Sequence, residues 1–339
     1  MIPRDGILLV DKPAGLTSFA VVNRVRWALV QAFPDLAAPR RRLVKGGPKP
    51  PRFKCGHAGT LDPLATGLLV LLVGRGSRLA PFLLGLDKTY AATVRFGAGT
   101  DTLDSEGVVV ATAPVPASVA RVEACLAGFR GDIMQIPPII SALKKDGQPL
   151  YKLARSGQDV PEPEARPVTI SRLDMTGSRW GVPQDDPVYE VDLEVACTSG
   201  TYIRSLARDL ARAAGSEGHI SGLRRLEVGP FGVGDALAGV MDLSGEELAA
   251  ALRPLSAALP DVAALVLDPQ EAAAVRQGQQ PRQEWIARLD REPAAAGKAG
   301  RLFRLLDGAG DLVAVGRLDQ ETDELQLAAV IPAENSATT

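Results

Sequence analysis

Between Val188 and Cys197 the chain reads VYEVDLEVAC, and it then switches at once to TSGTYIRSLARDLARAAG. The first stretch alternates with period two. Tyr189, Val191, Leu193, Val195 and Cys197 fall on one side, and Glu190, Asp192 and Glu194 on the other. Such a pattern fits a strand with one face in a core and one in water. The second stretch repeats at helical spacing. Ile203, Leu206, Ala207, Leu210, Ala211 and Ala214 make an apolar stripe, Arg204, Arg208 and Arg212 climb another face, and Thr198, Ser199 and Thr201 offer capping hydroxyls.

Other segments carry similar punctuation. GILLVDKPAGLTSFAVVNRVRWAL reads as strand, turn and helix, with Thr17 or Ser18 as the cap and Val21, Val22, Val25, Ala28 and Leu29 at helical spacing. KTYAATVRFG and EGVVVAT are strand-like on either side of the turn-rich GTDTLDS. From Gly131 to Arg166 the mixture of prolines, lysines and glycines predicts an excursion from the core, helical around Leu150–Arg155. Past Leu259, a short strand and helix (LVLDPQEAAAVRQG), a Gly-turned hairpin (GRLFRLLDGAGDLVAVGRL) and a last strand (ELQLAAVIP) predict a compact β-rich module.

A length of 339 residues with 46% apolar content suits one large domain and a smaller one. The early strand-like ILLV argues against a signal peptide, and no apolar run approaches the ~20 residues of a membrane helix, so a soluble, cytoplasmic protein is expected. Cys55, Cys125 and Cys197 lie far apart, as in a reducing compartment, and with only His57 and His219 as imidazoles a metal site is not expected. The net charge of −2 hides an asymmetry. Residues 1–60 hold eleven Lys and Arg against three acids, whereas 240–339 hold nine against sixteen. The densest patch, PRRRLVKGGPKPPRFK at Pro39–Lys54, has seven bases and no acid, and reads equally as a nucleic-acid contact or a solvated loop.

The stretch that carries chemistry is GHAGTLDPLATG, Gly56–Gly67. An aspartate before proline is ordinarily a turn residue. Asp62, however, follows a histidine by five residues and precedes the apolar LLVLLVG, which would anchor its loop in the core. A lone carboxylate held rigidly is what a covalent nucleophile needs, and to stay ionised it calls for a nearby cation. Arg204, opening a helix after a strand end, is a candidate, although the helix pattern alone prefers a surface arginine. Tyr90 and Tyr202 can be packed aromatics or platforms for a base.

These residues also carry a resemblance. GHAGTLDPLATGLL is similar to the signature loop of the TruB family of pseudouridine synthases, bacterial enzymes that make pseudouridine 55 in the T loop of tRNA. GILLVDKPAGLTS, KTYAATVRFGAGTDTLDSEG, IPPIISALKKDGQPLYKLARSG, GTYIRSLARDL and LRRLEVGPF resemble that family's other blocks, in its order. The resemblance implies an α+β fold, with a mixed, mainly antiparallel sheet flanked by helices over 1–258. It adds a small PUA-like β-barrel over 259–332 and a tail at 333–339. Within the larger domain, the basic insertion at 34–54 departs from the family as a longer connection and is expected to add phosphate contacts, whereas the resemblance implies a mobile thumb at 131–166. It implies Asp62 as the catalytic nucleophile, His57 as the residue that fills the gap left by a flipped nucleotide, and Tyr90 and Tyr202 as uridine contacts. Arg204 would pair with Asp62, and Leu223 would line the base pocket. Lys12 and Lys88 are candidate RNA-backbone contacts, or plain surface lysines. The isomerisation exchanges no electrons, so no cofactor is expected. The partner is the T-loop and T-stem of tRNA, and a monomer acting without a protein partner is implied.

Rival readings are a synthase directed by a guide RNA, a non-catalytic RNA-binding or RNA-folding protein, and a glycosidase. The last usually needs two carboxylates flanking the bond, and Asp62 has no acidic neighbour close in sequence.

Overall fold

The computed structural model describes residues 4–36, 53–140, 163–182, 188–288, 301–319 and 324–333, with the backbone of 144–145 and 148–149. The chain opens with strand β1 (Gly6–Lys12) and helix α1 (Ser18–Ala32), whose Thr17 cap accepts from the Ala20 amide at 3.0 Å. Strands β2 (Cys55–His57) and β3 (Thr66–Val73) follow, then a short helix α2 (Ala80–Leu84) and β4 (Lys88–Phe96). A small hairpin, β5 (Ala98–Thr100) and β6 (Val109–Thr112), precedes helix α3 (Val119–Leu126) and β7 (Gly131–Gln135). Beyond a two-residue pair, β8 (Lys144–Lys145) and β9 (Gln148–Pro149), come β10 (Arg166–Val182) and β11 (Val188–Cys197). Helix α4 (Ile203–Ala213) leads to β12 (Gly218–Val228), β13 (Phe231–Gly232) and helix α5 (Gly245–Ala250).

These strands form one nine-stranded sheet in the order β1-β3-β12-β4-β11-β10-β7, with β2 on β3 and β13 on β12. All pairs are antiparallel except β3 with β12. The sheet is therefore mixed and mainly antiparallel, with helices on it, as the resemblance implies. Strands β1 and β3 read as unbroken apolar runs because both of their faces are covered. One face packs with α1, α3, α4 and α5 around Val22, Leu69, Val94, Leu193, Leu206 and Leu248.

The C-terminal part is a four-stranded sheet in the order β14-β15-β16-β17, built from β14 (Ala264–Val266), β15 (Arg301–Leu306), β16 (Leu312–Leu318) and β17 (Leu325–Val330). Helix α6 (Pro269–Arg276) follows β14, and its Asp268 cap with Glu271 forms a capping box. Leu312, Val315 and Ile331 share an apolar cluster with Ile7, Leu9, Leu72 and Leu79, so this sheet lies on the outer face of β1 and β3.

Two expectations change. Residues 131–135 and 166–170 are paired strands of the main sheet, so the excursion is rooted in β7 and β10 and leaves the core only past them. Arg204 and Arg208 do not lie on a wet helix face but are buried, at 5% and 8% exposure, because each reaches backbone carbonyls of the segment after β7. The helical stretch at Leu150–Arg155 and nearly all of the basic run Pro39–Lys54 lie outside the described residues. No described helix is long and apolar enough to cross a membrane.

Candidate active site

Asp62 sits on the loop that joins β2 to β3. Because those strands pair antiparallel, with His57 opposite Leu71, the chain must turn back between them. Gly59 takes a φ of 120°, open to glycine alone among common residues, and the Asp62 carbonyl accepts from the Ala65 amide at 3.1 Å to close the turn. Three long-range side chains then fix this loop. The hydroxyl of buried Ser18 donates to the Leu61 carbonyl at 3.0 Å and accepts from the Leu61 amide at 2.8 Å. Lys12 donates to the carbonyls of Pro13, Leu16 and Pro63 at 2.8, 2.6 and 3.2 Å. Arg225, on β12, reaches Gly59 O at 3.1 Å before the aspartate and Leu68 O at 2.7 Å after it. Its backbone runs so close to β3 that a Cβ on Gly67 would lie 2.2 Å from the Arg225 carbonyl oxygen.

The structure brings Arg204 to Asp62. Nε lies 2.9 Å from Oδ2 and Nη2 lies 3.2 Å from Oδ1, a two-point contact. The same guanidinium donates to Thr102 O at 2.6 Å and Ile140 O at 3.1 Å, and its Nη1 stands 3.7 Å from Asp104. Asp104 is buried, and it accepts from the Thr102 hydroxyl and the Glu106 amide. It approaches Arg204 from the Nη1 end and does not line the cavity that Asp62 faces.

Sequence reasoning asks that a cation pull the Asp62 pKa down. The balance goes the other way. Burial pushes it above the usual carboxylate value, and Asp104 adds to the rise, while Arg204 and Lys12 oppose it. The guanidinium limits the rise without reversing it.

Asp62 opens on a cavity of about 340 Å³. Tyr90, Tyr202, Arg204 and Leu223 line it with Asp62, and so do Lys88 and Arg225. Tyr90 stands on β4 opposite Arg225, and burial raises its phenol pKa while the charge of Arg225 opposes the rise. Tyr202 is the residue before α4, and its backbone is held at both ends by the Gln135 amide, at 2.8 and 3.1 Å. His57 is on β2 and is not among the cavity-lining residues. Burial and Arg225 lower its pKa, so its ring favours the neutral form.

Lys12 and Lys88 are not surface lysines. Lys12 is fully buried on its three carbonyls, and Lys88, 7% exposed, donates to Leu84 O and Leu86 O. Burial lowers both pKa values to about 8. Sequence reasoning also misses Ser18, Asp104, Gln135 and Arg225 as site residues. Arg225 stands in the LRR of LRRLEVGPF and Asp104 in GTDTLDS, so the signal for both is a charged residue inside a motif of the sequence.

The TruB family pseudouridylate synthase N-terminal domain matches residues 45–203. The chain is 42% identical over 276 residues to tRNA pseudouridine synthase B of Aromatoleum aromaticum, covering 81% of this chain and 80% of that one. It is 38% identical over 314 residues to tRNA pseudouridine synthase B of Gluconacetobacter diazotrophicus, covering 91% and 92%. Among solved structures, the archaeal box H/ACA sRNP Nop10-Cbf5 complex contains a chain of similar fold, with a TM-score of 0.64 and 20% identity, over 98% of this chain and 88% of that one. With relatives this similar over most of its length, the chain belongs to the TruB family of pseudouridylate synthases.

Proposed function

We propose that the protein isomerises uridine to pseudouridine at position 55 in the T loop of tRNA, with Asp62 as the nucleophile on a flipped-out nucleotide. The observation that carries this reading is the Asp62–Arg204 pair at the wall of a cavity lined by Tyr90, Tyr202 and Leu223. The names of the relatives, tRNA pseudouridine synthase B, supply the substrate class. In this reading Tyr90 and Tyr202 contact the uracil, Leu223 packs on it, and His57 enters the space the nucleotide vacates, where a flat ring restores lost stacking. Residues 1–258 form the catalytic domain and 259–332 a PUA-like RNA-binding domain.

The chemistry needs one carboxylate. The N1–C1′ bond breaks, the uracil turns, and C5 bonds to C1′; the ring loses the C5 proton and N1 gains one. A glycosidase would need a second acid across the bond. Among the described residues Asp62 is the only acid that lines the cavity. The test is to incubate the purified protein with an unmodified tRNA transcript and map pseudouridine. Modification at position 55 with no other component supports the reading. Conversion only on addition of a guide RNA, or none at all, overturns it.

A further inference from the structure

Asp62 and Arg204 neutralise each other, but two further cations line the same cavity. Arg225 is 1% exposed and Lys88 7% exposed, and among the described residues no carboxylate makes an ion pair with either. None of their partners is charged: Arg225 bonds the carbonyls of Leu68, Thr60 and Gly59 and the Tyr90 side chain, and Lys88 bonds the carbonyls of Leu84 and Leu86. An ammonium carries three N–H groups and a guanidinium five, so each side chain keeps donors beyond those carbonyls. Tyr90 stands on the same strand as Lys88, two residues from it, and opposite Arg225. A buried charge without a counter-ion is costly to fold. Preorganised cations of this kind are useful where negative charge arrives during a reaction.

The reaction delivers such a charge. When the N1–C1′ bond of uridine breaks, its electron pair stays with the uracil, at N1 and delocalised onto O2 and O4. C1′ is then bonded to a carboxylate oxygen of Asp62 or, where that carboxylate takes the C2′ proton, double-bonded to C2′. When C5 bonds to C1′, Asp62 leaves as its carboxylate or returns the proton to C2′; C5 releases its own proton and N1 takes one, with no oxidant or reductant. We propose that Lys88 and Arg225 form a cationic floor that stabilises the negative charge collected on the uracil ring when this bond breaks. The inference rests on the synthase reading above and holds whether Asp62 attacks C1′ or assists an elimination.

The test compares single-turnover rates on two T-loop stem RNAs, with uridine or 5-fluorouridine at the target, for wild type, Lys88→Met, Arg225→Lys and Arg225→Gln. The rate read is loss of the target nucleoside, because C5 of 5-fluorouridine carries no proton to release; fluorine makes the ring a better anion, so bond cleavage should need the floor less. For Lys88→Met the expected result is a rate loss of about 100-fold on uridine. The loss on 5-fluorouridine should be several-fold smaller, with the Kd for RNA unchanged. Arg225→Lys should keep more rate than Arg225→Gln, with the Tm of each variant showing how much of its loss comes from the loosened Asp62 loop. Equal losses of Lys88→Met on both RNAs, or a loss confined to Kd, overturn the inference while leaving the synthase reading intact. A wild-type protein inactive on uridine overturns both.

Discussion

Arg204 meets Asp62 with two nitrogens, at 2.9 and 3.2 Å, and spends the rest of its guanidinium on Thr102, Ile140 and Asp104. One side chain thus ties the aspartate loop to the turn after β5 and to the segment after β7. Removing one partner of a buried pair costs about 3–5 kcal/mol. Arg204→Gln should therefore lose both thermal stability and turnover. Arg204→Lys should recover little of either, since an ammonium cannot make the two-point contact. Melting curves beside single-turnover rates check this, and a Lys variant near wild type in both would refute it.

Asp62→Asn should abolish product while leaving RNA affinity within about threefold, an expectation that follows from a covalent rather than an adhesive role. Its effect on stability has a defined sign. Because the folded protein raises the Asp62 pKa, the native state holds that proton to higher pH than the unfolded chain does. Wild-type stability relative to the variant must then fall as pH rises from about 4, the ordinary carboxylate range, toward neutrality. Tm measured for both proteins across that window should show the gap moving in the variant's favour, and a gap moving the other way would contradict the shift.

Asp104→Asn separates charge from position. The Asp104 carboxylate is one of the groups holding the Asp62 pKa up, so its loss should move the acid limb of the single-turnover rate to lower pH. The plateau rate should also fall, by about tenfold, because Arg204 loses a buried neighbour. An acid limb that shifts upward would show that Asp104 acts on Asp62 only through the placement of Arg204.

Ser18→Ala removes the hydroxyl that both donates to and accepts from Leu61, leaving a buried amide and carbonyl without partners. Each unsatisfied group costs about 1–3 kcal/mol. With two such groups the variant should be destabilised by about 2–6 kcal/mol and should lose rate with little change in RNA Kd, because the loop that carries Asp62 loosens at its root. Denaturant unfolding together with single-turnover rates distinguishes this from a surface substitution, which would move neither.

Much of the site is readable in the chain because the turn chemistry is local. GHAGTLDPLATG places a constrained aspartate between two strands, and the strand-to-helix switch at 188–214 places Arg204 and Tyr202 at a sheet end. The side chains that hold this arrangement are not readable in the same way. Ser18 looks like a helix cap, yet Thr17 does the capping and Ser18 reaches 43 residues along the chain. Lys12 and Lys88 look like solvated lysines because composition cannot show that carbonyl oxygens surround them. Arg225 sits in a strand whose inward face is set by pairing with β3 and β4, a register no local pattern records.

The apolar cluster that joins Ile7 and Leu72 to Leu312, Val315 and Ile331 has a mechanical consequence. Arg75 reinforces it, reaching Asp5 at 2.6 Å and the Pro332 carbonyl at 2.8 Å. The terminal sheet is thus bolted to the very strands that frame the aspartate loop, rather than tethered on a string. A ligand touching both would meet two surfaces whose spacing is set by this packing and not by a linker.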